Sequence, residues 1–139
     1  MERTLILVKP DAMQRNLGGA ILSRLEAAGL KIVALKALKI DVELARRHYA
    51  VHREKPFFKD LVDYITSYPV FAAVFEGPEA IKVARDTMGK TKPEEAAPGT
   101  IRRDFGIDLQ RNSVHGSDSV QNANYEINLY FKADDFIQR

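Results

Sequence analysis

The sequence predicts an α/β (α+β) chain: an antiparallel sheet with helices on one face, an inserted helical hairpin, and a long loop before its last strand. Three observations carry this. Thr4–Val8 and Val70–Phe75 are wholly apolar runs, the pattern of central strands buried on both faces. Stretches with apolar residues at helical spacing separate and follow them. Lys90 to Arg111 is irregular, with prolines and glycines, and a connection of that length in a compact domain is usually functional.

Taken in order, the first strand ends at Lys9, and a lysine at that place ordinarily snorkels to the rim of the sheet. Pro10-Asp11 suits the first turn of a helix. Ile21, Leu22, Leu25 and Ala28 mark an amphipathic helix from Gly19 to Ala28, with Gly29 as its C-terminal glycine. Leu30 to Ile40 reads as a long strand, and Asp41 as the N-cap of a helix from Val42 to about His52. Pro56 restarts a helix with Phe58, Leu61, Val62 and Ile65 as its stripe, ended by Tyr68-Pro69. After the second central strand, Gly77-Pro78 opens a helix with Ile81, Ala84 and Met88 on one face, closed by Gly89. A short helix follows Thr100, then a short strand at His115. Ser119 caps a last helix with Val120, Ala123, Ile127 and Phe131 facing inward. With the hairpin set aside, the order is β-α-β-β-α-β, the ferredoxin-like arrangement.

The chain of 139 residues fits one domain, 1–139, with ordinary apolar and charged fractions. It has no cysteine, which excludes disulfides, thiolate metal sites and a cysteine nucleophile. Net charge is +2, and between Lys82 and Arg111 seven basic residues face five acidic ones, too balanced for a nucleic-acid-binding tail. There is no apolar stretch of signal-peptide design and no window of transmembrane length, so the expectation is a soluble, cytoplasmic protein.

With three histidines and no nucleophile-elbow or phosphate-loop pattern, covalent chemistry falls most naturally to a histidine. Asn112-Ser113-Val114-His115-Gly116-Ser117-Asp118-Ser119 sets one among small polar side chains, with Gly116 leaving room for a close approach. A neutral imidazole attacks an electrophile without prior deprotonation, provided one nitrogen is free and the other is held. Glu126, on the last helix, is placed to reach back towards His115 with Ser117 bridging. Phosphoryl transfer to a histidine needs positive charge and alignment. Lys9, Arg85 and Arg102 supply charge, and Thr91 a hydroxyl donor. His48 and His52, spaced i, i+4, admit a metal pair, but no third ligand lies nearby, and two unrelated surface histidines are the plainer reading.

The Asn112-x-x-His115-Gly116-Ser117-Asp118-Ser119 run resembles the active-site signature of the nucleoside diphosphate kinases. Thr4-Leu5-x-x-Val8-Lys9-Pro10-Asp11, His48-Tyr49-x-x-His52-x-x-Lys55-Pro56-Phe57-Phe58 and Gly99-Thr100-Ile101-Arg102-x-Asp104-Phe105 are similar to further segments of that family. The resemblance covers the whole chain. It implies a ping-pong transfer of a γ-phosphoryl group from a nucleoside triphosphate such as ATP to a nucleoside diphosphate through a pros-phosphohistidine on His115. It implies that Lys9, Arg85, Thr91 and Arg102 contact phosphates with His52 nearby, and that Mg²⁺ is held mainly by phosphate oxygens. It places Tyr49 beside His115, Glu126 and Ser117 as its orienters, and Lys9 and Asn112 on the ribose. Phe57 would stack on the base with Leu61 and Leu109 lining the slot, and Gly116 would adjoin the nucleotide. A ring face and aliphatic contacts hold any base, which suits broad tolerance.

Thr91-Lys92-Pro93 and Ser67-Tyr68-Pro69 depart from the family's usual Thr-Asn-Pro and Ser-Gly-Pro. Family members are hexamers or tetramers, and the chain stops at Arg139, without the longer C-terminal segment of some relatives, so both assemblies stay open. No membrane and no obligatory nucleic acid is expected. The rival is a non-catalytic nucleotide- or nucleic-acid-binding module of the same fold.

Overall fold

The structure is a computed structural model that describes residues 1–139. Four strands, β1 (Glu2–Val8), β2 (Lys31–Leu38), β3 (Val70–Gly77) and β4 (Val114–Gly116), form one antiparallel sheet in the order β2-β3-β1-β4. Helices α1 (Pro10–Gln14) and α2 (Gly18–Ala27) link β1 to β2. Helices α3 (Val42–His48) and α4 (Phe58–Ile65) form the hairpin between β2 and β3. Helices α5 (Ala80–Met88) and α6 (Ile101–Phe105) lie between β3 and β4, and α7 (Val120–Tyr130) follows β4. This is the ferredoxin-like strand order that the β-α-β-β-α-β pattern requires.

Central strand β1 is buried along Leu5, Ile6, Leu7 and Val8, and its alternation divides them between two cores. Leu5 and Leu7 pack with Ala45, Val62, Ile65, Ala123 and Ile127 from α3, α4 and α7. Ile6 and Val8 pack with Ile21, Leu25, Ala80, Ala84 and Met88 from α2 and α5. Each of the larger aliphatic side chains and Met88 stabilises the fold by about 1.5–3 kcal/mol relative to leaving it exposed. Helices therefore cover both faces, not one: the hairpin and α7 occupy the face that a bare ferredoxin-like unit would leave open.

Local expectations are corrected in three places. The helix from Val42 ends at His48, and Ala50–His52 is a separate 3-10 turn. The strand expected over Leu30 to Ile40 spans Lys31–Leu38, with an irregularity between Ile32 and Ala34. Val120 is 53% exposed, and the inward stripe of α7 is Ala123, Glu126, Ile127 and Tyr130. Asp41 does cap α3 through Leu44 N–H (2.8 Å), and Ser119 caps α7 through Asn122 N–H (3.0 Å).

Gly116 is set by packing. A Cβ there would lie 2.7 Å from Met88 Sδ and 3.3 Å from Ile6 Cδ1, so the room it leaves is filled by α5 rather than kept for a ligand. Gly116→Ala should lower stability by about 1–2 kcal/mol, read from the shift of the urea midpoint at constant slope.

Candidate active site

Register decides where the catalytic candidate points. In the β1–β4 pairing His115 lies opposite Leu7, so it shares Leu7's face and looks toward α3 and α7. Val114 and Gly116 face the α5 side. Ahead of β4, Ser113 holds a left-handed backbone (φ 77°), and its carbonyl accepts Lys9 N–H at 2.9 Å, tying the end of β1 to the start of the histidine strand.

His115 Nε2 lies 3.0 Å from Glu126 Oε1, and Ser117 Oγ donates to the same oxygen at 2.7 Å. Leu5 N–H donates to Ser117 Oγ at 3.2 Å, so the last link of the chain is a backbone group of the central strand. Burial pushes the Glu126 carboxyl upward, but the hydrogen bonds and charge of His115 together with Ser117 outweigh it and hold it below its usual range. An ionised Glu126 only accepts. In the neutral ring it therefore requires the proton of His115 on Nε2 and leaves a lone pair on Nδ1.

His48 is the largest surprise. It is buried, packs edge-to-face on His115 with centroids 4.7 Å apart, and has Tyr130 Oη 3.1 Å from Nδ1. Burial, with His115 acting in the same direction, pushes its imidazole down to about 3, so it is neutral at physiological pH. The reading of two unrelated surface histidines fails for His48, and with His52 in a separate 3-10 turn the i, i+4 pair does not form on one helix. A signal existed in the sequence: Tyr130 is one helical turn beyond Glu126, and His48 is three positions beyond buried Ala45.

A pocket of about 880 Å³ opens beside His115, lined by Tyr49, His52, Arg85, Thr91, Arg102 and Gly116 among others. Arg102 is buried, with its Nη atoms on Gly89 O (3.1 Å) and Val114 O (2.8 Å) and its Nε without a partner. Burial and nearby Arg85 lower it to about 10, which leaves it charged. Burial, with Glu126's charge adding, pushes the Tyr49 phenol up to about 12. Arg53, Asp118, Gln121, Asn122 and Tyr125 also line the pocket, and sequence reasoning gave them no role.

Lys9, Asn112 and Ser117 sit behind this pocket rather than in its lining. Lys9 is only 8% exposed, not snorkelling, and its Nζ donates to Gln110 O (2.7 Å) and Asn112 Oδ1 (2.9 Å). Asn112 Nδ2 donates in turn to Thr91 O (3.0 Å) and Leu109 O (3.1 Å), which fixes the loop holding both residues. Phe57, 44% exposed, stands at the start of α4 with its ring 5.5 Å from that of His52. Leu61 follows one turn on, and Gln110 Nε2 donates to Asp60 O (3.0 Å), tethering the Leu109 loop, where Leu109 is 55% exposed, to α4.

Asp11 anchors the hairpin from below. Its buried carboxylate accepts from Tyr64 Oη on α4, from Arg15 (3.3 Å) and from Ser113 Oγ (3.4 Å). Neither departure from the family pattern reaches this machinery: Lys92 Nζ lies 3.9 Å from Glu95 at the surface, and Tyr68 is exposed in the turn after α4.

The family profile described as Nucleoside diphosphate kinase matches residues 2–136. The nucleoside diphosphate kinase of Archaeoglobus fulgidus is 61% identical over 137 residues, 99% of this chain and 91% of the relative, and that of Staphylococcus saprophyticus is 58% identical over 97% and 91%. The Aquifex aeolicus enzyme superposes with a TM-score of 0.96 at 47% identity, over 98% of this chain and 99% of that one. A halophilic enzyme from Halobacterium salinarum, solved in complex with CDP, gives 0.95 at 51% over 99% and 92%. The chain belongs to the nucleoside diphosphate kinase family, enzymes that pass a phosphoryl group between nucleotides.

Proposed function

We propose that His115 Nδ1 is the atom that carries the phosphoryl group. The observation behind this is the 3.0 Å contact of Nε2 with Glu126, which leaves Nδ1 as the nucleophilic nitrogen. In the first half-reaction the Nδ1 lone pair forms a bond to the γ-phosphorus of a nucleoside triphosphate. The bond from that phosphorus to the bridging oxygen breaks, and the nucleoside diphosphate leaves with the electron pair. Nε2 keeps its proton, and Glu126 offsets the positive charge that develops on the ring. In the second half-reaction a terminal oxygen of another nucleoside diphosphate attacks the phosphorus, and the pair returns to Nδ1.

Arg85, Arg102, Thr91 and His52 line the pocket next to His115 and are assigned to the phosphates, Gly116 to its floor and Tyr49 to its wall. Lys9 is buried with only neutral oxygens in hydrogen-bond reach, a costly position for an ammonium that a phosphate or ribose oxygen relieves. Lys9 and Asn112 are assigned there. Phe57, Leu61 and Leu109 form the base slot, whose apolar contacts explain tolerance of different bases. The pocket offers the carboxylate of Asp118 and that of Glu126, and Glu126 is engaged by His115 and Ser117. Such a donor set fits Mg²⁺ held mainly by nucleotide phosphates, where it would neutralise charge on the transferred group. The same reading takes the chain as one domain, 1–139, that works as a homo-oligomer, hexamer or tetramer, in the cytoplasm. No helix is long and apolar enough to cross a membrane.

Incubation with γ-labelled ATP should give acid-labile, base-stable phosphate on the protein, discharged as GTP by added GDP, and His115→Ala should take no label. Label persisting in that variant, or resisting GDP in the parent, refutes the scheme. Glu126→Gln should slow phosphoenzyme formation by about 10²-fold in rapid-quench experiments, because the amide no longer demands the proton on Nε2. Burial lowers the Lys9 ammonium to about 8, with Arg102 adding to the shift. The charged form holds nucleotide oxygens, so it is complete below that value and lost above it. The kcat/KM profile should fall as pH rises through about 8, and a profile flat across that range would remove Lys9 from the site.

A further inference from the structure

The face of the pocket that holds His115 groups nitrogen and oxygen donors that could share one metal ion. His48, His115 and Glu126 each offer one ring nitrogen or carboxylate oxygen, and these atoms lie within 4.8 Å of one another. Two imidazoles and a carboxylate are a zinc donor set, whereas Mg²⁺ prefers oxygen alone. A tetrahedral zinc with bonds of about 2.0–2.2 Å keeps its ligand atoms about 3.4 Å apart. His115 Nε2 and Glu126 Oε1, at 3.0 Å, are close enough that parting by a few tenths of an ångström admits the metal in place of the proton between them. His48 closes in on that pair from within 4.8 Å.

The surroundings of these ligands are also those of a metal site. Tyr130 Oη occupies His48 Nδ1, which leaves Nε2 for a metal, and Ser117 Oγ braces Glu126. The His115 side chain is 26% exposed into the open pocket, giving access from solvent and a fourth position for water. The chain has no cysteine to compete for a soft cation.

We propose that His48, His115 and Glu126 form an inhibitory site for a borderline divalent transition metal, Zn²⁺ in particular. The metal takes the place of the proton on His115 Nε2, and the neutral ring then carries that proton on Nδ1. No lone pair remains there to attack phosphorus, so the nucleophile is silenced while the phosphate-binding side of the pocket stays intact. Inhibition of this kind is not overcome by more nucleotide. Metal binding stands on the geometry alone; its inhibitory consequence rests on His115 being the nucleophile.

With three histidines in the chain, the native nucleotide-free protein labelled with ¹⁵N-histidine resolves the question. One equivalent of Zn²⁺ in Mg²⁺ buffer should shift the ring nitrogens of His48 and His115 together and leave those of His52 in place. His48→Gln should weaken Zn²⁺ binding, read by calorimetry, by about tenfold or more. Phosphoenzyme formation in the parent should fall in proportion to site occupancy. Shifts confined to His52, or equal zinc affinity in parent and His48→Gln, overturn the metal site even if that variant folds poorly, since the first reading uses the parent alone. Phosphoenzyme formation unchanged at full occupancy overturns the inhibition, and His115→Ala labelling tests the nucleophile without zinc.

Discussion

Burial of β1 on both faces is the constraint from which the site follows. Leu5 to Val8 are sealed between two cores, so a one-residue shift along β3 or β4 would send every side chain into the wrong core. Three polar features hang on it. Its Leu5 N–H begins the chain that ends at the histidine, its end delivers Lys9 into the interior, and the turn beyond it delivers Asp11. The chain of hydrogen bonds behind the histidine ends on a backbone group of a fully buried central strand, while the histidine strand itself has only three residues and one neighbour.

The electrostatics follow one rule, that burial removes charge unless a partner restores it. His48 has only a phenol at Nδ1 and stays neutral. Glu126 has two donors and stays ionised. Lys9 and Arg102 are buried cations held by carbonyl and amide oxygens, without a carboxylate in hydrogen-bond reach, a positive imbalance that suits an anion. The proposed phosphate binding and the predicted pH behaviour of Lys9 would express the same imbalance.

Much of this was legible in the sequence. Apolar runs and caps located the strands and helices to within a few residues, since both report local packing. Of the candidate residues, the structure brings His115, Ser117 and Glu126 into one hydrogen-bonded chain, gathers Tyr49, His52, Arg85, Thr91, Arg102 and Gly116 around one pocket, and sets Lys9 and Asn112 behind it. Phe57, which packs on His52, and Leu109 are exposed, and Leu61 is half-buried. Less legible were features that need three dimensions. His48 looks like any helix histidine until α3 is laid against α7. The Asp11–Tyr64–Ser113 contacts join residues 53 and 102 positions apart in sequence. Cover on the second sheet face depends on where the hairpin folds, which periodicity does not encode.

The pairing of His115 with Leu7 has a consequence for how this chain tolerates change in length. Side chains on a strand alternate, so inserting or deleting a single residue between Ser113 and His115 would turn the imidazole toward Met88 and α5, away from Glu126. A one-residue indel there is all or none, which makes β4 the segment where evolution by loop growth is closed, although the irregular stretch immediately before it is long.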